Sequence, residues 1–127
     1  MTYEVCLPAE QFGCLRVTHS GAVTKREMLL CWQEVASALA TAKASKMLVD
    51  FADTSELPNR DYFIMFFAMH ADRLSQLAEI AVVNRHADES DTPVLGDVAH
   101  QYHINCRTFR EADAAVAWIS RSDGQEQ

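Results

Sequence analysis

The sequence is poor in glycine, with four residues in a chain of 127, and none of its four cysteines forms a C-x-x-C pair. Phosphate loops and dinucleotide fingerprints need glycine where the backbone N–H groups approach the phosphate, so neither kind of site is expected. There is also no serine nucleophile elbow and no pair of acids in a plausible pocket. The sequence therefore favours a protein that is not an enzyme, with no catalytic residue and no cofactor.

Basic residues are few and scattered. The chain has 11 Lys and Arg against 18 Asp and Glu, for a net charge of −7. This balance argues against binding to nucleic acid or to an anionic membrane surface. No segment approaches the roughly 20 apolar residues of a membrane span. The first residues, Met1 to Glu4, lack the basic and apolar regions of a signal peptide, so we expect a cytoplasmic protein.

The cysteines and histidines do not form a recognisable metal motif. The cysteines stand singly, at Cys6, Cys14, Cys31 and Cys106, which predicts reduced, buried thiols and no disulfide framework. His100, His103 and Cys106 are zinc-type residues, and Asp97 lies nearby, but a structural zinc site needs four ligands in a closed geometry. Solvated histidines on a helix flank are the expected alternative, and no metal is predicted.

About half of the residues are hydrophobic (49%), enough to fill the core of one domain. We expect this domain to cover residues 1–121 and to be followed by a polar tail at 122–127. Its centre is a strand, Met47–Phe51, which is apolar on both faces as in the middle of a sheet. A polar loop over 52–61 should follow, with a helix that begins near Pro58 or Asn59 and runs to about Ser75.

This second helix has more apolar surface than one contact with a sheet requires. One stripe consists of Phe63, Phe66, Phe67, His70 and Leu74, and a second of Tyr62, Met65 and Met69. If one stripe docks on the sheet, the other must cover its own core, a second copy of the chain or a ligand groove. The candidate partner or ligand surface comprises Ser55, Arg60, Tyr62, Phe63, Phe66, Phe67, Met69, His70 and Val98. His70 is also the candidate pH-sensitive residue.

Two strands and a long helix are predicted before the central strand. The segment Tyr3–Leu7 alternates in polarity and stops at Pro8, and a second strand opens at Gly13 with Leu15 and Val17 facing inward. These strands should pair antiparallel at one edge of the sheet. Thr24 and Glu27 have the spacing of a capping box, which predicts a helix from there to about Lys43. Its buried stripe is formed by Met28, Trp32, Val35, Ala36 and Leu39.

The chain after the second helix continues the alternation of strands and helices. Glu79–Asn84 is a second central strand, and the next helix should be capped by Asp91 or Thr92 with Pro93 at its first position. Asn105–Phe109 is the last strand, and Thr108 with Glu111 resembles a second capping box before the final helix. The predicted order is β-β-α-β-α-β-α-β-α, which implies an α/β fold with a mixed sheet, an antiparallel N-terminal hairpin and right-handed crossovers.

Several segments together resemble the SpoIIAA-like group of bacterial proteins, relatives of STAS domains whose fold is shared with CRAL-TRIO lipid-binding domains. They include the hairpin with Gly13–Val17, Met47–Phe51, Ile80–Val83 and the ending 107–119, and the likeness covers residues 3 to 121. This resemblance implies a βα superhelix, frequent homodimers and a regulatory role in protein binding. STAS-type antagonists of anti-sigma factors carry a phosphorylated serine at the position near Pro58–Arg60, where this chain has no serine. Thr54 and Ser55 lie in the preceding predicted loop.

We therefore expect a cytoplasmic, non-enzymatic regulatory module that forms a homodimer and binds a protein partner. The alternative is a carrier of a lipid or small apolar molecule in the CRAL-TRIO manner. A cavity of several hundred cubic ångströms lined by Phe63, Phe67 and Val98 would favour the carrier. A filled core beneath an exposed patch of Met and Phe would favour the protein-binding module.

Overall fold

The computed structural model describes residues 2–6, 14–42, 44–85 and 91–120, which form five strands and five helices. In chain order these are β1 (Thr2–Cys6), β2 (Cys14–Ala22), α1 (Lys25–Ala42), β3 (Lys46–Glu56), α2 (Arg60–Met69), α3 (Ala71–Leu74), β4 (Glu79–Val83), α4 (Asp91–Gln101), β5 (Cys106–Phe109) and α5 (Ala112–Ser120). The predicted end of β1 at Leu7 and Pro8, the opening of β2 at Gly13 and the polar tail lie outside the described residues.

The five strands form one mixed sheet in the order β1-β2-β3-β4-β5. β1 pairs antiparallel with β2, and Tyr3 lies opposite His19 in this register. The pairs β2–β3, β3–β4 and β4–β5 are all parallel. The predicted mixed sheet with an antiparallel N-terminal hairpin is therefore confirmed, and β3 is its central strand.

The side chains of the sheet alternate between two hydrophobic layers. One layer joins Leu15, Val17, Met47 and Ile80 of the strands to Cys31, Val35 and Leu39 of α1. The opposite layer joins Cys14, Leu48, Ala81 and Val83 to Ala115 and Ile119 of α5. Because successive residues of a strand point to opposite faces, Met47 and Leu48 contribute to different layers. This arrangement confirms that β3 is apolar on both faces.

The central strand is longer than the sequence predicted, because β3 continues to Glu56 where a loop was expected from Ala52. The Thr54 side chain is buried and its hydroxyl donates a hydrogen bond to the carbonyl of Phe51 at 2.7 Å. Two register shifts in β2 let the pairing continue until Ala22 lies opposite Glu56. The polar residues of this segment thus belong to a strand, since parallel pairing satisfies their backbone groups.

The second helix begins as predicted but ends early. Asn59 is its N-cap, and the Asn59 side chain accepts a hydrogen bond from the backbone N–H of Tyr62 at 3.0 Å. The predicted single helix to Ser75 is wrong, because His70 has φ −115° and ψ 19° and separates α2 from the single turn α3. Leu74 of α3 is nonetheless buried in the same layer as α1.

Two predicted helix starts in the C-terminal half are also wrong. α4 begins at Asp91, so Pro93 is its third residue and not its first. α5 begins at Ala112, and Thr108 lies within β5, where it cannot act as the cap of that helix. Among the described residues, none of the helices is both long and apolar enough to cross a membrane.

A buried lysine joins the start of β3 to the end of α5. Lys46 Nζ donates a hydrogen bond to the carbonyl of Ile119 at 2.9 Å, and it lies 3.8 Å from the carboxylate of Glu79. The last carbonyls of a helix lack partners within the helix and carry partial negative charge, so the ammonium satisfies and stabilises this end of α5.

Candidate binding site

α2 lies over the sheet beside α1, but none of its ten residues is fully buried. Met65 and Met69 are 50% and 66% exposed, although both are large apolar side chains. The other stripe of the helix, which includes Phe63, Phe66 and Phe67, is half-buried and faces the sheet. Met65 and Met69 of the second predicted stripe are therefore left uncovered by their own subunit.

A cavity lies between α1, α2 and the sheet. It offers about 80 Å³ to the centres of water-sized molecules, and about 590 Å³ when all empty space out to its open mouth is included. The smaller volume is enough for roughly five waters, or for a small organic group. The walls are formed by Val17, His19, Met28, Cys31, Trp32, Val35, Met47, Val49, Phe51, Phe63, Phe66, Phe67, Leu74, Ile80, Val82 and Cys106.

Aromatic rings from three elements build one side of the cavity. Phe63 of α2 lies edge-on to Phe51 of β3, with ring centroids 6.2 Å apart. Phe66 of α2 lies edge-on to Trp32 of α1 at 5.4 Å. Such edge-to-face pairs are favourable because the positive ring edge meets the negative ring face. They fix the position of α2 relative to α1 and β3 without filling the space beneath the helix.

A histidine also stands in this mostly apolar wall. His19 of β2 is 2% exposed, and its Nδ1 lies 2.6 Å from Oε2 of Glu27, which is fully buried at the start of α1. Glu27 was predicted to cap α1, and its backbone N–H does bond to the Thr24 hydroxyl at 3.1 Å. The second half of the capping box is not formed, because the Glu27 carboxylate binds His19. We call His19 and Glu27 the buried dyad.

The buried dyad was not found from the sequence, although both residues carry a signal. His19 continues the inward alternation of Leu15 and Val17 along β2, so its side chain must enter the core layer. Glu27 lies one helical turn before Cys31, on the buried stripe of α1. A histidine and a carboxylate that both face the interior are expected to pair, since an unpaired buried charge is costly.

The cavity wall also holds two thiols. Burial raises the pKa of Cys31 to about 12, and the neighbouring carboxylates of Glu34 and Glu27 add to this effect. Burial likewise raises the pKa of Cys106 to about 12. The thiolate is the reactive form of cysteine, so both residues behave as apolar wall atoms near neutral pH. Cys14 and Cys31 are buried residues, as predicted, whereas Cys106 is half-buried.

The structure brings only part of the predicted surface together. Phe63, Phe66 and Phe67 line the cavity, and Tyr62 packs against Phe63 and Phe66 beside it. Burial raises the pKa of the Tyr62 hydroxyl. His70 lies outside the cavity wall but contacts Trp32 and Phe66, with ring centroids 4.5 and 4.6 Å away. Burial lowers the pKa of His70.

The remaining predicted residues lie away from the cavity. Ser55 is exposed near the end of β3, and Arg60 is an exposed residue at the start of α2, 3.8 Å from Asp61. Met69 faces solvent. Val98 is half-buried on α4, which packs against α2, but it does not line the cavity. Within the described ranges, no three His, Cys, Asp or Glu residues are grouped as metal ligands would be.

Comparison with known proteins supports the fold. No family model matches the sequence, and no curated protein matches it. Among solved structures, the chain is similar to an uncharacterised protein of the DUF3478 family from Shewanella loihica PV-4, whose crystal structure at 2.25 Å resolution has a SpoIIAA-like fold. The match covers 93% of this chain and 92% of the other, with 14% identity and a TM-score of 0.63. This chain therefore has a SpoIIAA-like fold.

Proposed function

We propose that this protein is a non-enzymatic binding module that holds a small, largely apolar molecule in the cavity beneath α2. The cavity itself supports the proposal. Its enclosed part of about 80 Å³ is smaller than the several hundred cubic ångströms expected of a lipid carrier, and Val98 does not line it, so a ring-sized ligand must also extend into the open mouth. Ligand sites are typically concave and mostly apolar, with few polar groups that fix orientation. The wall described above has this composition, with aromatic rings on one side and His19 among its few polar groups.

The position of α2 supports entry of a ligand. Each residue of the helix remains partly accessible to solvent, and a segment with few fully buried contacts opens at low free energy. The helix ends at His70, where the backbone leaves the helical region. We propose that α2 moves as a lid over the cavity, which would separate the ring pairs Phe63–Phe51 and Phe66–Trp32 while β3, β4 and α1 keep their places.

The chemistry of the wall supports binding rather than catalysis. A nucleophilic role would need a thiolate, whereas the pKa values of Cys31 and Cys106 are both raised to about 12. A histidine can activate a neighbouring cysteine as a nucleophile only if the thiol readily loses its proton to form the thiolate. The low population of thiolate favours a site that holds its ligand without covalent chemistry.

Native mass spectrometry of protein purified under mild conditions gives a first test, since it reports a retained ligand and the number of subunits together. NMR titration with ethylbenzene then probes the cavity directly. We expect backbone amide shifts at residues of the wall, and loss of these shifts in Val82→Phe, which adds a ring to the cavity. Val116→Phe is the matched control, because Val116 is also half-buried but packs in the opposite layer with α5.

The result of the titration decides between a usable cavity and a closed one. If ethylbenzene shifts no wall residue of the wild-type protein, the cavity does not bind small apolar molecules and the proposal fails. If Val82→Phe and the wild type respond equally, the shifts come from another site. Equal loss of binding in both Phe variants would point to general unfolding, which circular dichroism would report.

A second candidate function is a regulatory module that forms a homodimer and binds a protein partner through the outer face of α2. The exposure of Met65 and Met69 favours it, together with Leu29 of α1, which is 54% exposed. Lys25 and Trp32 of α1 both contact rings of α2, so Leu29 lies on the part of α1 next to that helix. Large apolar side chains grouped on a surface are typical of interaction sites.

Sedimentation tests this second function. The double variant Met65→Asp, Met69→Asp should convert a dimer to a monomer, because charged groups cannot be buried unpaired in an interface. Ala114→Asp, on the exposed side of α5, is the control. Phe66→Asp is less informative, because Phe66 is part of the core and of the cavity wall. A wild-type protein that sediments as a monomer at high concentration would exclude the homodimer.

A further inference from the structure

The ring of His19 is enclosed so that one edge remains for the cavity. Phe51 stacks on the ring, with centroids 5.0 Å apart and planes inclined by 27°. Tyr3 of the neighbouring strand is the second ring contact, at 6.0 Å and 37°. The Nδ1 edge of the ring is occupied by Glu27. His19 also lines the cavity, whereas Glu27 does not, so the edge that carries Nε2 is the one presented to the empty space.

Nε2 has no hydrogen-bond partner among residues 2–6, 14–42, 44–85 and 91–120. A nitrogen that lacks a hydrogen-bond partner inside an apolar enclosure is unfavourable, and a correctly placed ligand atom would supply the missing bond. The feature therefore points to a ligand with a polar atom at this place, in addition to the apolar body that the rest of the wall accepts.

Electrostatics determines which kind of polar atom fits. The buried dyad is enclosed by apolar side chains, and Oε1 of Glu27 has no hydrogen-bond partner in the described part of the chain. A net negative charge at this depth is costly, so the forms without net charge are favoured. These are a charged histidine with a charged glutamate, or a neutral histidine with a protonated glutamate. In the first form Nδ1–H donates to the Glu27 carboxylate, and in the second the Glu27 carboxyl O–H donates to Nδ1; in both forms Nε2 carries a hydrogen.

We infer that the cavity beneath α2 takes an apolar molecule that carries one uncharged oxygen acceptor, such as a ketone or ester carbonyl, and that His19 Nε2–H donates a hydrogen bond to this oxygen. The inference rests on the proposed function, because it names the class of ligand for the same cavity. The acceptor is uncharged, since a carboxylate would bring an unbalanced charge into an apolar site.

A matched pair of ligands tests the inference. Acetophenone and ethylbenzene have similar shapes, but only acetophenone has a carbonyl oxygen. NMR titration of the wild-type protein should show about tenfold tighter binding of acetophenone, as expected for one hydrogen bond inside an apolar site. Acetophenone should also shift the Nε2 resonance of His19 in imidazole ¹⁵N spectra, and ethylbenzene should not. Benzoate, the charged analogue, should bind more weakly than acetophenone.

The double variant His19→Phe, Glu27→Leu replaces the buried dyad by apolar groups, and it should bind acetophenone and ethylbenzene with equal affinity. His100→Gln is the control, since this histidine is exposed on α4 and should leave the tenfold preference intact. The wild-type measurements stand even if the double variant does not fold.

The outcomes separate the inference from the proposed function. If neither ligand binds the wild-type protein, the proposed function fails and the inference fails with it. If both ligands bind with equal affinity, or if benzoate binds most tightly, the cavity is a binding site but the inferred ligand class is wrong. Tighter binding of acetophenone without a change at His19 Nε2 would also overturn the role assigned to this residue.

Discussion

Replacement of one member of the buried dyad should destabilise the protein far more than replacement of both. In Glu27→Leu, His19 Nδ1 loses its partner at 2.6 Å and remains 2% exposed. In His19→Phe, the fully buried Glu27 carboxylate loses the same partner. In the double variant, an aromatic ring still stacks on Phe51 and a leucine occupies the buried position of α1, so no polar group of the dyad is left behind.

The size of the effect follows from the burial of both groups. Loss of a hydrogen bond to a charged group costs about 1.5–3 kcal/mol, and the orphaned partner adds about 1–3 kcal/mol for its unpaired burial. In Glu27→Leu, part of this loss of stability is offset, because the substitution also removes the buried Oε1 atom that has no hydrogen-bond partner. We therefore expect about 2–4 kcal/mol for Glu27→Leu, about 3–5 kcal/mol for His19→Phe, and a change of about 1 kcal/mol or less for the double variant.

Urea unfolding of the four proteins, followed by circular dichroism, measures these free energies as a double-mutant cycle. The expected coupling energy between His19 and Glu27 is at least about 4 kcal/mol, because the two single variants together lose at least about 5 kcal/mol and the double variant loses about 1 kcal/mol or less. Additive effects of the two substitutions would refute the reasoning, because they would mean that the side chains do not interact in solution. A double variant less stable than either single variant would show that packing, and not the polar pair, dominates at this place.

Three further predictions concern the helix, its end and the lysine. Asn59→Ala removes the N-cap bond of α2 and should lower stability by about 1 kcal/mol, with faster amide exchange confined to α2 as the check. Burial lowers the pKa of His70 from the ordinary 6.5, so the unfolded chain binds the proton more readily. The stability that neutral His70 contributes should be fully present above about pH 6.5 and should be lost as the pH falls through the lower folded pKa. Urea midpoints at several pH values should show a weaker pH dependence in His70→Phe. Lys46→Met leaves the last turn of α5 and Glu79 without the buried ammonium, and should cost about 2–4 kcal/mol in urea unfolding; a loss below about 0.5 kcal/mol would contradict this role.

The order and type of the elements could be predicted because they depend on local patterns. The alternation of Leu15 and Val17, the two apolar faces of Met47–Phe51 and the spacing of the α1 stripe all follow from the strand and helix periods. The turn chemistry around Asn59 placed the start of α2 correctly. A mixed sheet then follows, since a strand–helix–strand unit joins parallel strands and a hairpin joins antiparallel ones.

The predicted boundaries of β3 and α5 are wrong because strands distant in sequence pair with these segments and override their local conformational preference. The segment 52–56 has the composition of a loop, yet β2 supplies the backbone partners that keep it in a strand. Thr108 has the spacing of a cap, but β4 pairs with its segment and holds it extended. Tertiary pairing of this kind is not visible in a window of a few residues, so boundaries are less predictable than the elements themselves.

Of the candidate site, the residues on α2 could be predicted from the sequence, whereas the buried dyad could not, because it depends on a contact between distant elements. The apolar surplus of α2 is a local property, from which the sequence predicts a partner or ligand surface that includes Phe63, Phe66 and Phe67; these three residues line the cavity. The polar group that gives the cavity its chemistry comes from β2 instead, and its position depends on the bond between His19 and Glu27. That bond also explains why the capping box of α1 is only half formed. A glutamate in the exposed first turn of a helix gains about 0.3–1 kcal/mol. The same carboxylate in the core gains a charge-assisted hydrogen bond with His19, and it must be paired in order to be buried.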